Sequence, residues 1–261
     1  VRVRALHPDV LVATSAIWQT NCAVVRDDEE SFLVDSPVLP EELDALPALL
    51  EQAHYPLPSG LLTTHADWDH LLGRLAFPQV ALGCAQSTAE RMHAAPGEAQ
   101  RELRTFDEQY LIERPRPLAL GAIQALPVPG RCAIGERELE LHPTEGHTGD
   151  GMAIWVPWAS VLLTGDYVSA AEIPTLGVTP DALHAYIATL ERLRPLVTEA
   201  LHVVPGHGPM LDADRGLAVL DEDLTYLCAL GEHGFEAELP TGRRSAFQRN
   251  LHRENAASAH P

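Results

Sequence analysis

Six consecutive residues, His65-Ala66-Asp67-Trp68-Asp69-His70, carry four side chains able to ligate a metal ion, and they follow directly on the short apolar run Leu61-Leu62-Thr63-Thr64. Alternate residues of an extended backbone project to the same side, so His65 and Asp67 can share one ion, while a turn lets Asp69 and His70 reach a second. Three later stretches supply what such a cluster lacks. Glu145-Gly146-His147-Thr148-Gly149 sets a histidine in a glycine-flanked loop after a strand, Leu163-Thr164-Gly165-Asp166 ends a strand on a carboxylate, and Pro205-Gly206-His207-Gly208-Pro209 ends another on a histidine. Loops held by a rigid sheet are where binding and catalytic side chains concentrate. The fold is thereby constrained to one in which four strand ends, distant in sequence, meet.

The remaining pattern alternates strand and helix. Residues 9–18, 21–26 and 31–35 are short runs rich in Val, Ile, Leu or Phe between polar pairs, which predicts a meander of three strands. Pro40-Glu41-Glu42 opens a helix, with proline in the first turn, acids beside the positive helix end, and Leu43, Leu46, Leu49 and Leu50 on one face. Residues 61–64 and 80–84 read as strands, and Ser87 with Glu90 as a capping box opening another helix. Pro115, Pro117, Pro127 and Pro129 break regular structure over residues 114–130, a connection between two halves.

The second half repeats the logic. Residues 138–142, 152–156, 161–164 and 201–204 predict strands. A helix starts at Thr179-Pro180-Asp181, turns Leu183, Tyr186, Ile187, Leu190 and Leu193 inward, and stops near Pro195. Residues 213–230 predict a long amphipathic helix through Leu217, Leu220, Leu224 and Leu227, and the tail from Ala256 is too small and polar to pack. The expectation is one α/β (α+β) domain over 1–261, its similar halves about 1–120 and 121–235 followed by a tail, 236–261. Two sheet-plus-helix halves give a four-layer sandwich and not a doubly wound sheet.

Charge narrows the chemistry. The net charge is -19, all 18 basic residues are arginine, and no basic cluster is denser than Arg243-Arg244, so a long nucleic acid would be repelled. Without lysine there is no Schiff-base chemistry and no P-loop lysine. Cys22, Cys84, Cys132 and Cys228 lie far apart with no Cys-x-x-Cys spacing, which predicts buried free thiols in a reducing compartment. No leader pattern opens the sequence and no apolar run approaches the roughly 20 residues of a membrane helix. The expectation is a cytoplasmic protein without membrane contact, its oligomeric state open, a homodimer included.

With these motifs in this order, the chain resembles the metallo-β-lactamase superfamily, whose pattern is H-x-H-x-D-H, a loop histidine, a bridging carboxylate and a final histidine. The resemblance runs from the Asn21-Cys22 strand to the helix after Pro209. It implies an αββα sandwich with two divalent metal ions at one edge of its sheets. His65, Asp67 and His147 would hold the first, Asp69, His70 and His207 the second, and Asp166 would bridge them. The implied nucleophile is a hydroxide shared by the two ions and oriented by Asp69. Zinc follows from the family. Asp67 stands where the common motif has histidine, as glutamate does in flavodiiron proteins and aspartate in competence-type nuclease domains, and this harder ligand admits manganese or iron. Three ligand carboxylates plus hydroxide balance two divalent ions, whereas the histidine version leaves one positive charge.

The implied function is metal-dependent hydrolysis of a small ester, thioester or lactone, motivated by the His147 loop and the Pro-Gly-His-Gly-Pro turn. The alternatives are a phosphodiesterase or nuclease-type hydrolase and, further off, a diiron redox protein or a non-catalytic binding protein. Trp68 and Tyr167 adjoin ligands and are the candidates to wall a substrate pocket. Arg243 and Arg244 read as a solvated pair able at most to clamp an anion. His7, His54, His93, His142, His184, His202, His233, His252 and His260 match no ligand context.

Overall fold

A computed structural model describes residues 1–259. Seven strands form the first sheet in sequential order: β1 (Arg2–His7), β2 (Val10–Thr14), β3 (Asn21–Asp27), β4 (Glu30–Val34), β5 (Gly60–Leu62), β6 (Leu82–Ala85) and β7 (Ile123–Leu126). The first four are antiparallel, and β4 through β7 pair in parallel. The second sheet holds β8 (Gly130–Ile134), β9 (Arg137–Pro143), β10 (Met152–Val156), β11 (Val161–Gly165) and β12 (His202–Pro205), in the order β12-β11-β10-β9-β8.

Alternation along the strands builds three cores. Val10, Val12, Ala23 and Val25 face Met152, Ile154 and Val156 between the sheets. Their neighbours Leu11, Ala13, Cys22 and Val24 face outward onto α1 (Pro40–Gln52), α4 (Glu98–Tyr110) and the short α2 (Gly73–Ala76). Ala153 and Trp155 face the other way, onto α5 (Ala182–Glu199), α6 (Ala213–His233) and α7 (Ala246–Ala259). Strands whose two faces are both covered are largely apolar, as in β2, β10 and β11, which are buried along their whole length. The four layers are helices, sheet, sheet, helices.

The structure corrects several expectations from the sequence. Residues 2–7 form β1, whose exposed edge position lets polar Arg2 and Arg4 hide its period. The Ser87/Glu90 capping box does not form, because α3 (Gln86–Ala94) begins one residue before Ser87. Proline-interrupted 114–130 contains β7, and α4 precedes it. Helix α5 runs through Pro195 to Glu199, its second half held by Val197, which is fully buried. Cys22 and Cys84 are buried free thiols, whereas Cys228 is exposed.

The largest correction concerns the tail. Helix α7 packs, with Ala256 fully buried, because its polar residues bond a loop and need no solvent. Gln248 accepts from Ile173 N–H at 2.8 Å and donates to the Ala171 carbonyl at 3.0 Å. Asn255 accepts from Leu176 N–H at 2.9 Å and donates to the Pro174 carbonyl at 2.6 Å. Just before the helix, Arg243 is 2% exposed and not solvated; it reaches Asp223 of α6 at 2.5 Å and the carbonyls of Ser169 and Glu172. Removing one partner of a buried ion pair strands the other, so Arg243→Leu is expected to cost about 3–5 kcal/mol. Urea unfolding of the variant against the parent measures this, and a loss below about 1 kcal/mol, the surface-pair range, would contradict it.

Candidate metal centre

The site forms where the ends of β5, β11 and β12 and the loop between β9 and β10 meet. Two backbone contacts join the sheets here: Met152 N–H donates to the Thr64 carbonyl at 2.7 Å and Asn21 N–H to the Gly206 carbonyl at 2.7 Å. Asn21 Nδ2 adds bonds to the carbonyls of Pro205 and Gly208, fixing the turn that presents His207. Glycine is required at position 206, since a Cβ there would overlap Asp166 Oδ1 and crowd His70. After β5 the chain leaves the sheet, and a 3₁₀ turn over Trp68–His70 aims Asp69 and His70 away from the side taken by His65 and Asp67.

All seven residues singled out in the sequence come together. His65, Asp67 and His147 form one group and Asp69, His70 and His207 another, the ligand atoms of each within 4.8 Å of one another. In the first group Asp67 Oδ2 lies 3.6 Å from His65 Nε2 and 3.4 Å from His147 Nε2. In the second, Asp69 Oδ2 lies 3.3 Å from His207 Nε2 and 3.8 Å from His70 Nε2. Asp166 faces both: Oδ1 is 3.3 Å from His70 Nε2, and Oδ2 is 3.3 Å from His147 Nε2 and 3.5 Å from His207 Nε2.

These separations fit bound cations. Ligand bonds of about 2.0–2.2 Å at tetrahedral angles separate neighbouring donor atoms by about 3.3–3.6 Å. His65 Nε2, His70 Nε2, His147 Nε2 and Asp166 Oδ1 are moreover buried without a hydrogen-bond partner, although carboxylate and imidazole stand side by side. Buried polar atoms are almost always bonded, so four orphans aimed at common points mark places for ions.

The far ring nitrogens are held in ways the sequence did not disclose. His70 Nδ1 lies 3.0 Å from Asp35 Oδ2, an ion-pair approach without hydrogen-bond geometry. Asp35 also accepts from Thr64 Oγ1, which contacts His65 Nδ1 at 3.0 Å. Nδ1 of His147 is 3.1 Å from the Thr175 carbonyl, in the loop that α7 pins, and Nδ1 of His207 is 3.2 Å from Thr20 Oγ1. Such partners fix the ring orientation and leave Nε2 for an ion.

In the protein without ions the cluster balances its own charge. Burial works to lower His147, but Asp166 and Asp67 beside it lift it to about 10. Against burial, His70 and His207 are held well above the ordinary imidazole value, chiefly by Asp166. Burial also works to raise Asp166, yet His207 and His70 keep it well below the carboxylate range, and Asp67 is lowered likewise by His65 and His147. Cations entering this site must displace protons.

A cavity of about 620 Å³ opens onto Asp67, Asp69 and His147, and Trp68 lines it. Tyr167 does not: it is 3% exposed and its hydroxyl accepts from His147 N–H at 3.1 Å, so it supports the loop and is no substrate wall. Trp18, 43% exposed, stacks edge-on against Trp68 at 5.8 Å and approaches the His207 ring at 6.4 Å. In the sequence it reads as the end of the 9–18 strand, but β2 stops at Thr14 and Trp18 lies in the turn that follows. The other nine histidines stay outside the cluster in so far as they fall among the described residues; His260 lies outside them. Arg244 is exposed. No helix among the described residues is long and apolar enough to cross a membrane.

With fold and cluster in view, comparison with known proteins defines the class. The family model for the metallo-beta-lactamase superfamily matches residues 16–207. The chain belongs to that superfamily of metallohydrolases. It is 26% identical over 207 residues to a metallo-beta-lactamase type 2 of Bacillus sp. (strain 170), covering 78% of this chain and 72% of the relative. Among solved structures it resembles a metallo-beta-lactamase family protein of Thermus thermophilus, with a TM-score of 0.70, 18% identity, and coverage of 98% of this chain and 93% of the other. The sec-alkylsulfatase Pisa1 of Pseudomonas sp. superposes with a TM-score of 0.73 at 14% identity, over 99% of this chain and 49% of that one.

Proposed function

We propose that this protein hydrolyses a small carboxylic ester, thioester or lactone at a two-metal centre in which His65, Asp67 and His147 hold one ion, Asp69, His70 and His207 the other, and Asp166 both. The observation that carries this reading is the pair of ligand trios, with Asp166 close to members of both, beside a cavity of about 620 Å³ that Asp67, Asp69 and His147 line. Divalent ions there supply an acidified water and positive charge for the oxyanion that forms on the attacked carbonyl. Asp69 borders both the second trio and the cavity, the position from which its carboxylate accepts and orients the proton of the attacking water. Zinc is the expected metal, with manganese or iron the outcome if Asp67 makes the first position hard.

The cavity wall favours an uncharged substrate over a phosphodiester. Asp67, Asp69, Glu98, Glu102 and Asp150 line it against one guanidinium, Arg91, which is already paired. An anionic phosphodiester would face these carboxylates with no free cation from the protein. Assay of metal-loaded protein on a panel of thioesters, lactones, simple esters, a β-lactam and phosphodiesters tests the proposal. Turnover of a carbonyl substrate well above that of any phosphodiester is expected, and no turnover of any carbonyl compound would overturn it. Trp18, exposed beside His207, offers an apolar face to the acyl or leaving group. Trp18→Ala is expected to raise KM for the preferred substrate roughly 10-fold with kcat little changed, and an unaltered KM on steady-state assay would remove that contact.

A further inference from the structure

Arg91, on α3, is absent from the ligand pattern yet touches it directly. Its Nη2 lies 2.8 Å from Asp67 Oδ1, while Nη1 lies 2.9 Å from Asp150 Oδ1. Asp150 in turn accepts from Ala66 N–H through its other oxygen, at 3.1 Å. The guanidinium therefore ties the segment carrying Asp67 to the loop carrying His147, the two pieces of chain that must hold still for the first trio to form. It also divides the work of the Asp67 carboxylate: Oδ1 faces Arg91, and Oδ2 alone faces His65 and His147.

We propose that Arg91 is a positioning residue of the first metal site, holding the outer oxygen of Asp67 so that Asp67 presents its other oxygen toward His65 and His147. The inference rests on the two-metal reading above. A free aspartate at this position adds a negative charge and can rotate to offer either oxygen or both. Paired with a guanidinium at 2.8 Å, its outer oxygen is held: the cation, shared with Asp150 at 2.9 Å and Glu98 at 3.9 Å, offsets part of its charge, and the planar fork sets the plane of Asp67. Part of the charge that aspartate would remove from the centre is thus restored by a residue from another element. The same pairing occupies Arg91, so that it is no free anion anchor for substrate.

The test is metal content and affinity, read apart from turnover. Parent, Arg91→Gln, Arg91→Lys, Asp67→His and the double variant Asp67→His/Arg91→Gln are stripped, reloaded with zinc, gel-filtered and analysed for zinc per chain. Affinities are then taken from competition with a chromophoric chelator, and circular dichroism with thermal unfolding in chelator reports whether each variant folds. The parent is expected to hold two ions. Arg91→Gln is expected to keep the second and to bind the first roughly 10- to 100-fold more weakly. Lysine, which keeps the charge and loses the fork, recovers part of that loss. Asp67→His alone leaves Arg91 facing a cation and also binds the first ion weakly, whereas the double variant restores two ions. Two tightly held ions in Arg91→Gln would overturn the proposal, as would a double variant no better than Asp67→His. A parent holding no zinc would instead sink the two-metal reading itself, a result distinguishable from either. Should Arg91→Gln not fold, the comparison of Asp67→His with Arg91→Lys and the double variant decides the matter by itself.

Discussion

Asp166→Asn is expected to lower kcat/KM at least about 10³-fold while the protein still folds. Of the seven clustered residues, Asp166 alone directs its oxygens at both trios, with His70 at 3.3 Å from one and His147 and His207 at 3.3 and 3.5 Å from the other. Asparagine has the same shape but offers one neutral oxygen, so on the proposed reading two bound cations would lose an anion near both. Positive charge on reacting oxygens is worth several kcal/mol, and each step of about 1.36 kcal/mol is tenfold in rate, which sets the scale. Steady-state kinetics alongside metal analysis measures it. Activity within tenfold of the parent would show that Asp166 does not bridge.

Chelation is expected to abolish activity and to reverse the way stability depends on pH. In the stripped protein, His147 titrates near 10 instead of the ordinary 6.5, so its ion pairs contribute fully below about 6.5 and are lost as pH rises through 10. His70 and His207 are raised in the same direction. Asp67, Asp69 and Asp166 are lowered from 3.8, so their contribution is present above that value and lost as pH falls through the depressed ones. Stripped protein should therefore have its highest Tm between about pH 4 and 6.5 and lose stability toward about pH 10. Loaded protein should behave oppositely over that range, since ions replace protons on the imidazoles and bind more tightly as pH rises. At a free metal concentration about 1,000 times Kd, one site adds about 4 kcal/mol. Calorimetric melting of both forms across pH checks the prediction; parallel curves would contradict it.

How much of this was legible in the sequence follows from the range of the forces involved. The clustered residues were readable because a candidate metal position calls for particular side chains at strand ends, and a strand end announces itself by apolar residues stopping at a turn, as at Leu163-Thr164-Gly165-Asp166. The layered fold was readable because strand and helix runs alternate in two similar halves, and β2, β10 and β11 are buried along their length. What stayed hidden depends on partners far along the chain. Asp35 looks like any strand-terminal acid until His70 lies 3.0 Å away, and Arg91 like any helix-surface arginine until Asp67 and Asp150 close on it. Helix α7 was misread for the same reason. Its polar residues looked too hydrophilic to pack, and only the loop at 171–176 shows that Gln248 and Asn255 are bonded inside.

Anomalous diffraction from crystals of the metal-loaded protein tests the central claim most directly. Two peaks are expected, one among His65, Asp67 and His147 and one among Asp69, His70 and His207, with Asp166 between them. A single ion, or density that leaves either trio empty at saturating metal, would contradict it.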